Sequence, residues 1–360
     1  MKLLFLTEFF PQNNQLVFTG GVEARTYYTV SLAKKDFSVK VIASSSKQVP
    51  ATPWSVLPRL FYLFISFFKA YFSSFDLIEA SNVVTYLPAW FAAKLKKKPV
   101  VIWVPDVLGK NWFDFGFIVG ITGWLMEKIY LLLPWDGVIA LSDSTRVKLL
   151  KSRIKAKRLV VIHGGILPIE FKLKTPPQKN KSKTIICIAR LVKTKRLDTL
   201  LKAFALINSE EKNYRLLIIG KGPQKKILIR LIKALRLDRV KMIDYLPRRE
   251  LIESLFKSYV FCLPSLVEGF GLVTIEAMAA GLPVVLANIP INQEITEFGR
   301  GALFYQPNNE SDLAKQLNRL LTDFNLYSAK QLEALTLVKK YSWEKLYQKT
   351  KSFYEACFSN

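Results

Sequence analysis

Short apolar runs separated by helix-length segments, with the alternation restarting once in mid-chain, constrain this fold more than any other feature. In the first half the runs fall at residues 3–7, 39–43, 76–80, 100–104 and 137–141. Leu3-Leu4-Phe5-Leu6 and Val100-Val101-Ile102-Trp103-Val104 show no polar alternation, the pattern of parallel strands covered on both faces. Residues 19–23 read as a loop and 22–34 as the first helix. A polar stretch at 172–183, with Pro176-Pro177, reads as a domain connector. A second alternation then starts at Thr184-Ile185-Ile186-Cys187-Ile188-Ala189 and continues through 216–223 and 240–246. The fold class expected is α/β, with two domains of ordinary size in 360 residues.

The segment with most chemical content is Glu268-Gly269-Phe270-Gly271-Leu272-Val273-Thr274-Ile275-Glu276-Ala277-Met278-Ala279. It sets two carboxylates on either side of a glycine turn that opens a helix, with Glu276 expected about two helical turns in. The backbone N–H groups of Phe270, Gly271, Leu272 and Val273 are the unpaired donors of a helix start, suited to an anion such as a diphosphate. Glycine at 269 and 271 lets the backbone approach that anion. One carboxylate can accept from sugar hydroxyls and the other from a ribose, which together describe a nucleotide-sugar site.

Extended in both directions, this segment resembles the retaining glycosyltransferases of family 4. The matching runs are Pro264-Ser265-Leu266-Val267-Glu268-Gly269-Phe270-Gly271-Leu272, then Glu276-Ala277-Met278-Ala279, then Gly281-Leu282-Pro283-Val284-Val285. The two glutamates have the family's separation of seven intervening residues. Arg190-Leu191-Val192-Lys193-Thr194-Lys195 resembles the family's Gly-Arg-Leu-x-x-x-Lys-Gly pattern, with Ala189 and Arg196 in place of the two glycines. Gly20-Gly21 resembles the family's glycine loop near the donor phosphates. Leu216-Leu217-Ile218-Ile219-Gly220-Lys221-Gly222-Pro223 keeps the family's order of strand and glycine turn.

The resemblance implies the two-Rossmann (GT-B) architecture, with domains facing each other across a cleft. Residues 1–170 would form the acceptor-side domain, 171–183 the linker and 184–340 the nucleotide-sugar domain. A helix at 341–360, capped by Ser342, would cross back to the N-terminal domain. It further implies transfer of a sugar with retention, from a nucleotide-diphosphate donor to a glycan or lipid-linked acceptor. No metal and no cofactor beyond that donor would be needed. Arg190 and Lys195 would hold the diphosphate, Glu268 the sugar hydroxyls and Glu276 the ribose. One departure matters: Val101-Ile102-Trp103-Val104-Pro105-Asp106 has Pro105 where family members commonly have histidine, leaving Asp106 as the catalytic contact from that strand. His163, the one histidine in the chain, falls in the segment leading to the linker and is expected to be structural.

The formal charge of +25 raises the question of nucleic acid. The excess is shared, +10 in residues 1–170 and +15 in 171–360, and no nucleic-acid motif accompanies it, so no nucleic-acid partner is expected. Dense basic spots at 94–98 and 146–158 suit an anionic membrane surface. The apolar stretches 57–72 and 115–126 are too short to span a bilayer, which takes ~20 residues. They read either as buried helices or as membrane-contacting ones. Cys187, Cys262 and Cys357 show neither zinc spacing nor a disulfide framework, which points to a reducing compartment. The expected location is the cytoplasm, peripheral on the inner face of the membrane. The alternatives are a nucleotide-sugar epimerase of the same fold and a non-enzymatic basic binder of membrane or nucleic acid.

Overall fold

The computed structural model describes residues 1–11, 21–45, 52–172, 178–207 and 213–359. Its elements run in chain order as β1 (Lys2–Phe9), α1 (Gly21–Ala33), β2 (Ser38–Ser45), α2 (Val56–Tyr71), β3 (Leu77–Ala80), α3 (Val83–Leu95), β4 (Val100–Val104), α4 (Phe117–Leu132), β5 (Pro134–Ala140), α5 (Asp143–Lys151) and β6 (Lys155–Val161). Then follow β7 (Thr184–Ile188), α6 (Leu197–Ile207), β8 (Arg215–Ile219), α7 (Lys225–Ala234), β9 (Val240–Ile243), α8 (Arg248–Lys257), β10 (Val260–Leu263) and α9 (Leu272–Ala279). The chain closes with β11 (Val284–Ala287), α10 (Pro290–Ile295), β12 (Ala302–Tyr305), α11 (Glu310–Thr322), α12 (Phe324–Leu337) and α13 (Trp343–Phe358). Two compact units result: the first holds Met1–Gly164 and Trp343–Asn360, the second Gly165–Ser342. Residues 165–172, which the sequence assigns to the first domain and the connector, thus pack with the second unit; residues 173–177 of the expected linker lie outside the described residues.

In the first unit six parallel strands are ordered β2-β1-β3-β4-β5-β6. β3 and β4 are buried along their whole length, because helices cover both faces of a parallel sheet. The core gathers Leu4, Leu6, Ile78, Ile102, Val104 and Trp135. α5 starts at Ser142, whose side chain accepts from the Thr145 N–H at 3.0 Å, a normal helix cap.

α13 is fastened to this unit by packing and by charge. Gly137 of β5 lies so close to it that a Cβ there would come within 2.8 Å of Cys357 Sγ and the Phe353 ring. Arg25 of α1 is paired with Glu79 of β3, with Nη2 3.1 Å from Oε2, and Tyr354 of α13 donates to the same carboxylate. All three are buried. The Arg25 guanidinium also lies 5.1 Å from the centre of the Trp103 ring. Burial opposes the Arg25 charge, but Glu79 and Tyr354 hold its pKa above the usual value.

The outer faces of α2, α3 and α4 are unusual. α2 packs on α3 and α3 on α4, yet each carries apolar side chains in solvent. On α2, Leu57, Phe61, Phe64 and Phe68 are exposed, Phe64 to 68%, while Tyr62, Ser66 and Ala70 face the core. α4 exposes Phe117, Ile121, Leu125, Ile129 and Leu132, and α3 exposes Phe91 and Leu95. The two apolar stretches are therefore helices whose outward face is apolar, not buried helices. Among the described residues no helix is long and apolar enough to cross a membrane.

The second unit holds another six parallel strands, ordered β12-β11-β10-β7-β8-β9. β10 and β11 are wholly buried. The order reverses between β7 and β10, so the loops leaving those two strands diverge and open a crevice at their carboxyl ends.

The ion pair under α13 should be sensitive to losing one partner. Glu79→Ala leaves the Arg25 charge buried and uncompensated, which should destabilise the first unit by about 3–5 kcal/mol. Replacing both residues together, Arg25→Met with Glu79→Leu, should cost less. All seven tryptophans lie in the first unit, so tryptophan fluorescence in a urea titration reads this unit. A loss below about 1 kcal/mol for Glu79→Ala would mean that the pair behaves as a solvated one.

Candidate active site

The residues assigned to the donor site meet in the second unit at the β7/β10 crevice. The loop after β7 is fixed by two glycines that follow β8. Gly220, at φ +154°, sits where a Cβ would be 1.9 Å from the Ala189 carbonyl oxygen, and a Cβ on Gly222 would be 2.3 Å from that of Leu191. Only glycine permits this approach. The contact is sealed by Leu191 N–H donating to the Lys221 carbonyl at 2.8 Å and Gln224 N–H to that of Leu191 at 3.0 Å. Arg190 is held there with an exposed side chain that makes no ion pair among the described residues. Arg196, which stands where the family has its second glycine, keeps the left-handed conformation that glycine would take, at φ 48° and ψ 41°. A strain of roughly 1–2 kcal/mol is expected for such a residue. Its guanidinium is held by a two-pronged pairing with Asp198, both contacts at 3.1 Å.

The loop after β10 joins it. Leu266 N–H donates to the Thr194 carbonyl at 2.9 Å, which carries Glu268 to Lys195. Lys195 Nζ forms an ion pair with Glu268 Oε1 and also lies 3.3 Å from the Val267 carbonyl. Both side chains are nearly out of solvent. The two sequence motifs, 73 residues apart, are thus in direct contact.

Gly271 turns the chain into α9 at φ +78°, with Thr274 N–H bonded back to its carbonyl at 2.8 Å. The helix begins at Leu272, so Glu276 lies about one turn in rather than the two expected, because residues 269–271 form an irregular turn. Phe270 is buried with its ring edge-on to Tyr341 at 5.6 Å. The Ser265 and Thr274 hydroxyls flanking this turn are buried without a hydrogen-bond partner among the described residues.

Glu276 is engaged as well. Arg248, at the start of α8, reaches Glu276 Oε1 with Nη1 at 2.6 Å and Glu170 Oε2 with Nη2 at 2.6 Å. Burial lifts the Glu276 carboxyl above the usual carboxylate range against the pull of Arg248, and Glu170 adds to the rise. Sequence reading missed Arg248 and Glu170. The one local signal is weak: Arg248 opens a helix, where the macrodipole disfavours a cation by about 0.3–1 kcal/mol.

The remaining assignments fall in the first unit. Gly20 lies outside the described residues, and Gly21 is the exposed first residue of α1. Asp106 follows β4, and its Oδ1 accepts from Lys148 Nζ at 2.7 Å and Val107 N–H at 2.8 Å, so a lysine already neutralises this carboxylate. His163 lines a small cavity with Arg25, Thr29, Trp343 and Tyr347. At this sheet's own order reversal, between β1 and β3, sits a buried carboxylate that the sequence reading did not assign. Glu8 pairs with Arg59 Nε at 2.5 Å and accepts from Asn82 Nδ2 at 3.2 Å, and burial raises its pKa although Arg59 opposes the rise.

With this geometry in hand, comparison with known proteins adds the following. The family model for glycosyl transferases group 1 matches residues 169–333. An uncharacterized glycosyltransferase of Haemophilus influenzae is 28% identical over 228 residues, 63% of each chain. The gpi3 subunit of phosphatidylinositol N-acetylglucosaminyltransferase from Schizosaccharomyces pombe is 27% identical over 232 residues, 62% of this chain and 49% of that one. The match thus spans about half to just under two thirds of these relatives. Among solved structures, Anabaena Alr3699/HepE in complex with UDP and glucose superposes with a TM-score of 0.75 at 18% identity, covering 99% of this chain and 100% of that one. The fold shared is the two-Rossmann, GT-B architecture. The motifs joined at β7 and β10 lie inside the segment that the glycosyl transferases group 1 model matches, just under half of the chain.

Proposed function

We propose that this protein is a retaining glycosyltransferase that moves a sugar from a nucleoside-diphosphate donor to a glycan or lipid-linked acceptor. The observation that carries the reading is the Lys195–Glu268 pair at the β7/β10 crevice, beside the start of α9. A donor diphosphate offers Lys195 a stronger anion than one carboxylate, and Glu268, once released, accepts from sugar hydroxyls. Arg190 and the N–H groups of Leu272 and Val273 add to the diphosphate grip. Glu276 takes the ribose, with Arg248 opposing the rise that burial causes in its pKa. The bond from the anomeric carbon to the diphosphate oxygen breaks while the acceptor oxygen bonds to that carbon on the same face. The acceptor proton passes to the departing diphosphate oxygen. Lys195 and Arg190 stabilise the charge that grows there, in place of a metal. Because HepE was solved with UDP and glucose, UDP-sugars are the first donors to test.

The same reading places the protein peripherally on a membrane. The exposed apolar faces of α2 and α4 are the support, since soluble surfaces rarely carry contiguous patches of this kind without a partner. A lipid-linked acceptor would be reached from there.

Two measurements test this reading. Supplied with nucleotide-sugars, the enzyme should release nucleoside diphosphate only when an acceptor extract is added, and product NMR should show the donor's anomeric configuration. Lys195→Ala should lower turnover about 10- to 1,000-fold, the scale of losing one preorganised charge. Inverted product would contradict the stereochemistry proposed, and wild-type turnover in Lys195→Ala would remove that residue from the site.

Nucleotide affinity should also depend on pH through Glu276. The ionised form accepts from the ribose, so affinity falls as pH drops through a carboxyl pKa that burial has raised. Arg248→Met removes the opposing charge, raises that pKa further and should start the loss at higher pH. Calorimetric affinities from pH 4.5 to 8 would show it; superimposable profiles would detach Arg248 from the ribose carboxylate.

A further inference from the structure

A basic cavity that the proposed sugar-transfer site does not use lies at the C-terminal end of α3 in the first unit, against β5, β6 and α13. Its volume is about 230 Å³. Lys94, Lys97, Lys98, Lys157 and Arg158 line it with a single carboxylate, Asp136. That carboxylate is already spoken for: Oδ1 lies 2.8 Å from Lys157 Nζ, and Oδ2 accepts from Val100 N–H at 3.1 Å and lies 3.7 Å from Lys94 Nζ. Lys98 leans on Asp76 at 3.5 Å. Lys97 and Arg158 make no ion pair among the described residues, so the cavity keeps a surplus of positive charge.

What surrounds the cavity selects the anion. It opens where α3 ends, and the chain leaves α4 for β5 next to it. Leu95, 62% exposed, adjoins Lys94, and Leu132, 67% exposed, lies four residues before Asp136. Trp90 of α3 donates to the Pro134 carbonyl at 3.1 Å and ties these ends together. A soluble phosphate would account for the cations but leave the apolar rim without a purpose. An apolar protein partner would account for the rim and leave the cations unpaired. A phosphate that carries acyl chains accounts for both. Resting on the membrane reading above, we propose that the cavity formed by Lys97, Arg158 and their basic neighbours binds the phosphate headgroup of an anionic phospholipid, while the apolar faces of α2, α3 and α4 enter the acyl region.

Co-sedimentation with phosphatidylcholine vesicles, with and without 30 mol% phosphatidylglycerol, tests the assignment on the intact protein. Wild type should partition to both and more strongly to the anionic vesicles. The double variant Lys97→Gln/Arg158→Gln should lose about 30-fold on anionic vesicles, from the usual contribution of a basic residue near such a surface, and little on neutral ones. Lys226→Gln/Lys233→Gln, which removes the same charge from α7 of the second unit, should keep wild-type partitioning. Phe64→Ser/Phe68→Ser should release the protein from both vesicles and remain folded by circular dichroism, since both side chains are exposed. Equal losses in the two charge variants would reduce the effect to net charge and overturn the headgroup site. Release by the phenylalanine variant with no loss in Lys97→Gln/Arg158→Gln would overturn the headgroup site and leave the membrane reading standing. Wild-type protein that binds neither vesicle would overturn both.

Discussion

The adjacency of β7 and β10 is the constraint on which the site depends. Parallel strands buried on both faces have no free side chains of their own to offer a ligand, so chemistry gathers in the loops at their carboxyl ends. Where strand order reverses, neighbouring loops leave in opposite directions and a crevice opens between them. Lys195 comes from one of these loops and Glu268 from the other, and a single backbone hydrogen bond from Leu266 to Thr194 sets their register. Gly220 and Gly222 act one strand further out, where the absence of a Cβ lets the next turn press against the loop that carries Arg190.

Charge pairing within that crevice has a consistent logic. Lys195 is matched by Glu268 and Glu276 by Arg248, so each nearly buried charge has an opposite partner before any ligand arrives. An unpaired charge in such a place is costly, and pairing removes that cost. The pairs also set what a ligand must do. In the function proposed, a diphosphate would compete with Glu268 for Lys195, whereas a ribose would share Glu276 with Arg248, because hydroxyls donate to the carboxylate without replacing the guanidinium.

The sequence carried much of this, for reasons that can be named. Val100–Val104 reads as a buried strand because nothing polar interrupts it, and it is one to the residue. That residues 195 and 268 serve one site was expected from the motifs they belong to, but their direct ion pair was not. The pairing of Arg248 with Glu170 was not legible: the two lie 78 residues apart, and no local pattern encodes a long-range ion pair. Nor could hydrophobic periodicity tell an apolar helix face in solvent from one in the core, which is why residues 57–72 kept two readings. Phe67 and Phe68 are neighbours with the same chemistry, yet one packs on the core and the other is half in solvent. Lys148 neutralising Asp106 was likewise hidden, 42 residues apart.

The pairing of Lys195 with Glu268 as a ligand-exchanged contact is tested most directly by the sign of one substitution. Calorimetry would compare wild type and Glu268→Gln, using whichever of UDP, GDP, ADP and dTDP binds wild type most tightly, and then its sugar-bearing form. Removing the competing carboxylate should tighten the free diphosphate and weaken the sugar donor, so the two affinities move in opposite directions. Equal weakening of both ligands, or a wild-type protein that binds none of the four nucleotides, would contradict the assignment of this crevice to a nucleotide-sugar.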